Sequence, residues 1–233
     1  MTLPTFIRNG LRGLIDKLGY EVKRKNKNGN GWTDVEHPVR HNSQESMDKF
    51  YKKEGLLTEY IDNARIAFYK EVVELIKSKI KFSENQTIAD VGCGTGHLLY
   101  YLKEQVRIGK ATGFDFSPEA IRVARELFPA FDFYEFDIYI GKDEKFDTVL
   151  CTEVLEHLLY PDLALSNLLS MINPGGKLLL TVPNGRIDTF AGHINFWSPE
   201  SWEVFIRKNA SGNQFETGAV QKDEVNFALI TKS

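Results

Sequence analysis

Residues 88–96 read Ile88-Ala89-Asp90-Val91-Gly92-Cys93-Gly94-Thr95-Gly96 and carry the strongest structural signal of this 233-residue chain. A short apolar run enters a turn that contains three glycines, and a helical pattern begins directly after them. Glycines let a backbone approach a ligand closely and adopt positive φ, while the first turn of a helix attracts negative charge. The spacing G-x-G-x-G differs from a dinucleotide fingerprint, which needs glycine or alanine where His97 stands. The stretch therefore predicts a strand, a ligand-binding glycine loop and a helix, in that order.

Short apolar runs alternate with helical patterns from about residue 87 to the end of the chain. The predicted strands cover residues 87–91, 111–115, 132–136, 147–151, 177–183, 214–221 and 225–231. The predicted helices cover residues 96–105, 118–127, 161–172 and 199–208. Alternating strands and helices imply right-handed crossovers and parallel pairing, whereas the last two strands, separated only by a turn at Lys222-Asp223, are expected to be antiparallel. We therefore expect an α/β fold: a Rossmann-like, seven-stranded, mostly parallel sheet with an antiparallel last strand pair, helices on both faces and an N-terminal helical cap.

The first 85 residues differ in pattern from the rest of the chain. Residues 1–31 predict a basic amphipathic arm and a linker, because apolar residues recur at helical spacing among basic ones and a polar, glycine-containing run follows at residues 23–31. Such a helix is typical of membrane-surface contact, of partner binding and of packing on its own domain, and all three readings stay open. Residues 32–85 predict the helical cap, since an apolar stripe near the 3.6-residue period runs from Ile61 to Ile76. Residues 86–233 form the predicted ligand-binding domain.

Composition limits the class of protein. With 42% hydrophobic and 26% charged residues the chain can bury a core, which excludes wholesale disorder. A net charge of −3 does not indicate a generally basic, nucleic-acid-binding face. Two cysteines, Cys93 and Cys151, cannot build a disulfide framework and fit a reduced compartment. The apolar runs fall far short of a membrane span, and charges interrupt residues 2–20, so we expect no signal peptide and a cytoplasmic location.

Acidic residues follow the next two predicted strands. Asp115 stands nineteen positions after Gly96, where a carboxylate can accept hydrogen bonds from ribose hydroxyls, and Asp137 can accept from an adenine amino group. With Phe146-Asp147 and Pro174-Gly175-Gly176, these motifs resemble the class I S-adenosylmethionine-dependent methyltransferases from about residue 86 to the end of the chain.

That resemblance implies S-adenosylmethionine as the cofactor. In that family the glycine loop holds the methionyl part and the counterpart of Asp115 binds the ribose. The ubiquinone-precursor O-methyltransferases, which this chain resembles, have a helical arginine comparable to Arg65 that meets the methionine carboxylate. A solvated charge on a helix surface is the other reading of Arg65. The cofactor-binding residues implied are Arg65, Asp90, Gly92, Gly94, Gly96, Asp115, Phe116, Asp137, Ile138 and Thr152.

A second group of chemistry-bearing residues follows the fourth predicted strand. If residues 153–157 form a helical turn, Glu153, Glu156 and His157 lie on one face, and carboxylate-rich sets suit Mg²⁺ or Mn²⁺. His193 lies on a loop after the fifth strand, which opens at the same edge of a parallel sheet. The run E-x-x-E-H with a later histidine resembles two groups of metal-assisted O-methyltransferases, which act on catechol-type ubiquinone precursors and on the terminal ribose of small RNAs. The resemblance implies Glu153, Glu156, His157 and His193 as metal ligands.

Two other readings of this group stay open. His157 or His193 acts as a general base without a metal, or the group is structural, with His157 bonded to a carbonyl and Glu153 beside the cofactor. The catalytic candidates are therefore His157, His193 and Glu153.

The acceptor class follows from the chemistry of methyl transfer. A hydroxyl with a pKa of about 15 needs help to lose its proton, and a metal that holds two neighbouring oxygens favours O-methylation of a vicinal diol or a catechol. Residues 183–197 and the N-terminal arm resemble bacterial methyltransferases of polysaccharide clusters, so a sugar in a surface polysaccharide or glycosylated metabolite is the first expectation. A quinone precursor is the second. Small RNA is the third, because the chain is not basic.

A non-catalytic subunit is the alternative class, in which the same fold binds S-adenosylmethionine and activates a partner through the N-terminal helix. We expect a small-molecule or glycan acceptor rather than a nucleic acid. If residues 3–27 dock on lipid, the protein is cytoplasmic with a peripheral contact at the inner membrane face. The pattern does not specify an oligomeric state.

Overall fold

The computed structural model describes residues 24–25, 32–33, 42–52 and 63–233. The chain divides into two units, Met1–His37 and Pro38–Ser233. In the first unit, Arg24–Lys25 pairs antiparallel with Trp32–Thr33. A strand thus lies within the predicted linker at residues 23–31, whose asparagines and glycines are typical of turns as well as of linkers. The amphipathic helix predicted from Phe6 to Leu18 lies outside the described residues, and the predicted domain division stays a prediction.

The described residues of the second unit form a seven-stranded sheet. Its strands are β1 (Ile88–Val91), β2 (Ala111–Asp115), β3 (Asp132–Glu135), β4 (Phe146–Thr152), β5 (Ile172–Pro183), β6 (Gln214–Val220) and β7 (Val225–Thr231). The order across the sheet is β3-β2-β1-β4-β5-β7-β6, with β1 to β5 parallel and β7 antiparallel to both of its neighbours. The predicted sheet and its antiparallel last pair are confirmed.

Six helices of the described residues accompany the sheet, and the four whose bounds were predicted differ from those predictions by a few residues at most. They are α1 (Gln44–Lys52), α2 (Asn63–Lys79), α3 (His97–Gln105), α4 (Pro118–Leu127), α5 (Pro161–Ser170) and α6 (Pro199–Asn209). Helix α3 begins one residue after its predicted start because Gly96, at φ 82°, is the N-cap. Helix α5 ends at Ser170 because Ile172 already pairs in β5. Among the described residues, none of the helices has the length and apolar character needed to cross a membrane.

Helices cover both faces of the sheet, as predicted. Successive residues of β4 point to opposite faces: Leu150 belongs to one apolar cluster, while Val149 and Cys151 belong to the other. Helices α2, α3 and α4 contribute to the first cluster through buried residues such as Ile76, Leu102 and Ile121. Helices α5 and α6 contribute to the second through Leu165, Leu168, Trp202 and Ile206.

The direction of the strand order changes at β1 and β4, which lie side by side in the sheet centre. In parallel α/β sheets the crevice beyond the carboxyl ends of the strands at this point is the usual ligand site. The glycine loop after β1 and the loops after β2, β4 and β5 all begin at this edge. The fold therefore brings both predicted groups of site residues to the same edge of one sheet.

Close packing and backbone conformation together require glycine at position 92. Its φ is 78°, its N–H donates to the Phe114 carbonyl at 2.7 Å, and a Cβ there would lie 2.3 Å from Val154 Cγ2. The glycine loop is thus packed directly against the segment that follows β4.

We predict that Gly92→Ala destabilises the fold more than Gly175→Ala does. Gly175 has φ 77°, and within the described structure a Cβ there would meet nothing within 4 Å. Both variants place alanine in the left-handed region, at about 1–2 kcal/mol, but only Gly92→Ala adds an overpacking term of about 1–3 kcal/mol. Urea unfolding measures both, and equal losses in the free energy of unfolding would contradict the packing argument.

Candidate functional site

The carboxylate of Asp115 connects the glycine loop to the loop after β2. Its Oδ2 accepts from the Gly94 N–H and its Oδ1 from the Ser117 N–H, both at 2.9 Å. Burial raises the pKa of Asp115 to about 6, although these N–H groups oppose the shift. Each carboxylate oxygen has a second lone pair, so Asp115 can still accept hydrogen bonds from a ligand.

Asp90 is buried at the end of β1, beside the glycine loop. Its Oδ1 has no hydrogen-bond partner among the described residues. Burial and, next, the charge of Asp115 raise the pKa of Asp90 to about 7. Buried polar atoms are normally hydrogen-bonded, so an unpartnered acceptor beside a glycine loop indicates a place for a ligand donor.

The other predicted cofactor residues lie at the same edge. Phe116 follows β2 and is partly exposed, while Ile138 is buried after β3. Asp137 Oδ1 accepts from the Tyr139 N–H at 2.8 Å, and Thr152 is the last residue of β4.

Helix α2 places Arg65 close to the carboxylates that follow β4. Its guanidinium carbon lies 5.2 Å and 5.6 Å from the ring centroids of Phe68 and Tyr69. Its positive charge lowers the pKa of Glu153 and Glu156, against the larger upward effect of burial on both. Arg65 is thus within electrostatic reach of the site, rather than solely a solvated helix charge.

The segment after β4 is not the helical turn that we expected over residues 153–157. Only Leu155–His157 form a helix, of the 3₁₀ type, and Glu153 has φ 55°. The Glu153 N–H donates to the Thr181 carbonyl at 3.0 Å and so extends the hydrogen bonding between β4 and β5 by one residue. The chain leaves the sheet at Glu153 through a left-handed backbone conformation. The Glu153 carboxylate accepts from the Thr181 hydroxyl at 3.0 Å instead of lying on one helical face with Glu156 and His157.

Glu156, His157 and His193 come together at the sheet edge, with one candidate ligand atom from each within 4.8 Å of the others. Glu156 Oε1 lies 3.8 Å from His157 Nε2 and 4.0 Å from His193 Nε2. Both carboxylate oxygens are buried and have no hydrogen-bond partner among the described residues. Burial and the neighbouring Glu153 raise the pKa of Glu156 well above its usual range. Three of the four predicted metal ligands therefore converge.

Asp188 orients the ring of His193. Its Oδ2 lies 2.5 Å from His193 Nδ1. A carboxylate only accepts, so Nδ1 carries the hydrogen, and in the neutral ring Nε2 presents its lone pair towards Glu156. Metal-binding histidines are commonly held in this way by a carboxylate on the other ring nitrogen.

The site also contains two polar residues that the sequence analysis did not select, Asp188 and Asn42. Asn42 Oδ1 lies 3.0 Å from His157 Nδ1, and its Nδ2 donates to the carbonyls of His157 at 3.2 Å and Gly192 at 2.7 Å. The run Asp188-Thr189-Phe190-Ala191-Gly192-His193 places an acid five residues before a histidine, which is a weak signal. Nothing in the local sequence marks Asn42, which is 115 positions away from His157.

Exposed apolar side chains border this cluster. The rings of Phe190 and Phe196 lie 4.9 Å and 6.2 Å from the His193 ring, and both are about half exposed. Phe190, Ile187 and Asp188 line an open groove of about 510 Å³. Large exposed apolar groups beside a polar cluster are typical of a binding site.

The comparisons with known proteins concern the family and the fold. Residues 63–209 match the model of a family described as a methyltransferase domain. A ubiquinone biosynthesis O-methyltransferase of Xanthomonas euvesicatoria is 31% identical over 128 residues, covering 51% of this chain and 52% of the relative. A protein of the same name from Idiomarina loihiensis is 28% identical over 185 residues, covering 70% of this chain and 75% of the relative. The chain thus spans about half the length of the first relative.

Solved structures share the fold. The N-methyltransferase NodS from Bradyrhizobium japonicum, in complex with S-adenosylhomocysteine, matches with a TM-score of 0.64 and 18% identity, covering 82% of this chain and 98% of that chain. Because the family model covers more than half of this chain, the chain belongs to the methyltransferase domain family, and it shares the fold of the S-adenosylhomocysteine-bound NodS structure.

Proposed function

We propose that this protein transfers the methyl group of S-adenosylmethionine to a hydroxyl of a vicinal diol, with a divalent cation held by Glu156, His157 and His193. The observation that carries the proposal is the buried, unpartnered carboxylate of Glu156 opposite two imidazole nitrogens. A buried charge without a hydrogen bond is costly unless a cation or a proton compensates it.

The carboxylate of the donor set suits Mg²⁺ or Mn²⁺, whereas its two imidazoles are more typical ligands of metals such as Zn²⁺. Glu153 remains a candidate fourth ligand, because it lies close enough to raise the pKa of Glu156 although its carboxylate bonds Thr181. When bound, such an ion lowers the pKa of a coordinated hydroxyl.

The residues of this chain orient the acceptor and the cofactor for the reaction. Methyl transfer is an in-line displacement, so the reaction depends on holding the acceptor oxygen opposite the sulfonium carbon. Asp188 fixes the ring of His193, and the Gly92–Val154 contact packs the glycine loop against the segment after β4. The cofactor loop and the carboxylate–histidine cluster are therefore parts of one packed unit.

We assign cofactor roles to individual residues as part of this proposal. The glycine loop lets the methionyl part approach the backbone, Asp90 accepts from its amino group, and Asp115 accepts from the ribose hydroxyls. Arg65 faces the methionine carboxylate across the site.

For the acceptor we propose a sugar of a surface polysaccharide or glycosylated metabolite. A pyranose offers vicinal hydroxyls to the cluster, and its apolar C–H face can pack on an exposed ring such as Phe190 or Phe196. A catechol-type quinone precursor is the second candidate. The O-methyltransferase names of the relatives favour it, and the same exposed rings can stack on a catechol.

We predict that Asp115→Asn weakens S-adenosylhomocysteine binding. Losing the charged acceptor should reduce affinity by about 1.5–3 kcal/mol, which is roughly a 10- to 100-fold increase in Kd. Titration calorimetry measures the Kd. The matched control is Asp132→Asn, an exposed aspartate at the start of β3. Equal affinity in the two folded variants would contradict the assigned role.

We predict that Asp90→Asn removes a pH-dependent loss of stability. The folded pKa of Asp90, about 7, is above its ordinary value of 3.8, so the unfolded chain ionises first and stability falls as pH rises towards 7. Relative to the parent, the free energy of unfolding of Asp90→Asn should therefore rise by on the order of 3 kcal/mol across this range. Urea unfolding at several pH values tests this, and a pH-independent difference would contradict it.

Metal dependence is the direct test of the proposed function. Purified protein is incubated with nucleotide sugars, oligosaccharides and catechols, and S-adenosylhomocysteine release is measured. We expect EDTA to abolish turnover and spare cofactor binding, Mg²⁺ or Mn²⁺ to restore turnover, and Glu156→Gln to lower kcat by roughly 100-fold or more.

The control for that variant is Glu200→Gln, because Glu200 is exposed and pairs with Arg186 at 2.6 Å. A general-base mechanism gives a different result. Full activity in metal-free buffer, with a large loss only in a His157 or His193 variant, would decide against the ion.

A further inference from the structure

Asn42 reaches both histidine-bearing segments of the cluster from outside the sheet. Its side chain bonds the ring and the carbonyl of His157 and the carbonyl of Gly192, the residue directly before His193. We infer that Asn42 is a positioning residue, which fixes the tautomer of His157 and holds the His193 loop beside it. This inference rests on the proposed function, because the orientation matters for a bound cation.

The direction of each hydrogen bond follows from which atoms can donate. Backbone carbonyls only accept, so the two carbonyls at 3.2 Å and 2.7 Å must face the amide nitrogen of Asn42. The amide oxygen then faces His157 Nδ1 at 3.0 Å. Because that oxygen also only accepts, Nδ1 must carry the hydrogen of the neutral ring.

The hydrogen on Nδ1 determines what the other ring nitrogen of His157, Nε2, presents. With the hydrogen on Nδ1, the Nε2 of neutral His157 presents a lone pair towards Glu156 Oε1, which lies 3.8 Å away. His193 has the same tautomer, because its Nδ1 donates to Asp188. An amide and a carboxylate thus set the two histidines alike, and each directs the Nε2 lone pair towards Glu156.

Asn42 acts on the cluster without contributing to the cofactor loop. Two residues of α1 instead bond the loop after β2, beside the predicted cofactor residues. Gln44 Nε2 donates to the Phe116 carbonyl at 2.7 Å, and Asp48 Oδ1 accepts from the Ser117 hydroxyl at 2.5 Å. Removing the Asn42 amide should therefore weaken metal binding while the affinity for S-adenosylhomocysteine stays the same.

Asn195 provides a matched control. Its Nδ2 donates to the carbonyls of Leu155 at 3.1 Å and Leu158 at 2.7 Å, at the start of the same 3₁₀ turn and directly after it, and neither bond involves a histidine ring. Asn42→Ala and Asn195→Ala thus each remove two amide-to-carbonyl hydrogen bonds around the cluster. Only Asn42→Ala also removes the acceptor at His157 Nδ1.

The first measurement is Mn²⁺ affinity of the full chain by electron paramagnetic resonance. We expect Asn42→Ala to raise the Kd for Mn²⁺ by about 10- to 100-fold, with Asn195→Ala close to the parent and S-adenosylhomocysteine affinity the same in all three. Equal Mn²⁺ affinities in the two variants would overturn the inference, because the effect would then be general loosening of the turn.

The second measurement is the tautomer of His157 by ¹⁵N NMR of the five histidines, assigned with His157→Gln. The parent and Asn195→Ala should show hydrogen on Nδ1, and Asn42→Ala should lose that preference. An unchanged tautomer in Asn42→Ala would overturn the inference. If the parent binds no Mn²⁺, the proposed metal site fails, and the tautomer result still decides the role of Asn42.

Discussion

The carboxylate of Glu156 is the group on which the rest of the site depends. It is buried at the edge of the sheet without a hydrogen-bond partner among the described residues, opposite the Nε2 atoms of two histidines. The backbone holds it there, because the Glu156 carbonyl accepts from the N–H groups of Ile194 and Asn195 at 2.8 Å and 3.0 Å. The loop after β5 is thereby attached to the turn after β4. An unpaired buried carboxylate is costly in isolation, so a cation or a proton has to compensate it, and we propose that a cation does.

The strand order explains how distant residues meet at this carboxylate. The loops after β1, β2, β4 and β5 begin at one sheet edge. The glycine loop, the carboxylate of Asp115 and the carboxylate–histidine group therefore become neighbours. The contact between Gly92 and Val154 packs the glycine loop against the segment after β4, so the two groups of residues form one packed unit. In the proposed reaction, a displacement of either group would change the distance over which the methyl group has to move.

Most of the fold could be predicted from the sequence because apolar runs and turn residues act locally. Strands β2 and β7 and helix α4 have the bounds that the pattern gives, since each is limited by turn or capping residues such as Ser117. The conformation of Glu153 could not be predicted, because its positive φ occurs where its N–H bonds Thr181 on a neighbouring strand, a contact that the local sequence does not show. Asn42 could not be predicted either, since its partners are brought to it only by the tertiary fold.

The central claim is that Glu156, His157 and His193 hold one divalent cation. Anomalous X-ray scattering from crystals grown with Mn²⁺ and S-adenosylhomocysteine tests it most directly. The account predicts a single anomalous peak within bonding distance of Glu156 and of the Nε2 atoms of both histidines. Well-ordered crystals with bound S-adenosylhomocysteine, no anomalous peak at the cluster and a Glu156 carboxyl hydrogen-bonded directly to an imidazole nitrogen would contradict it.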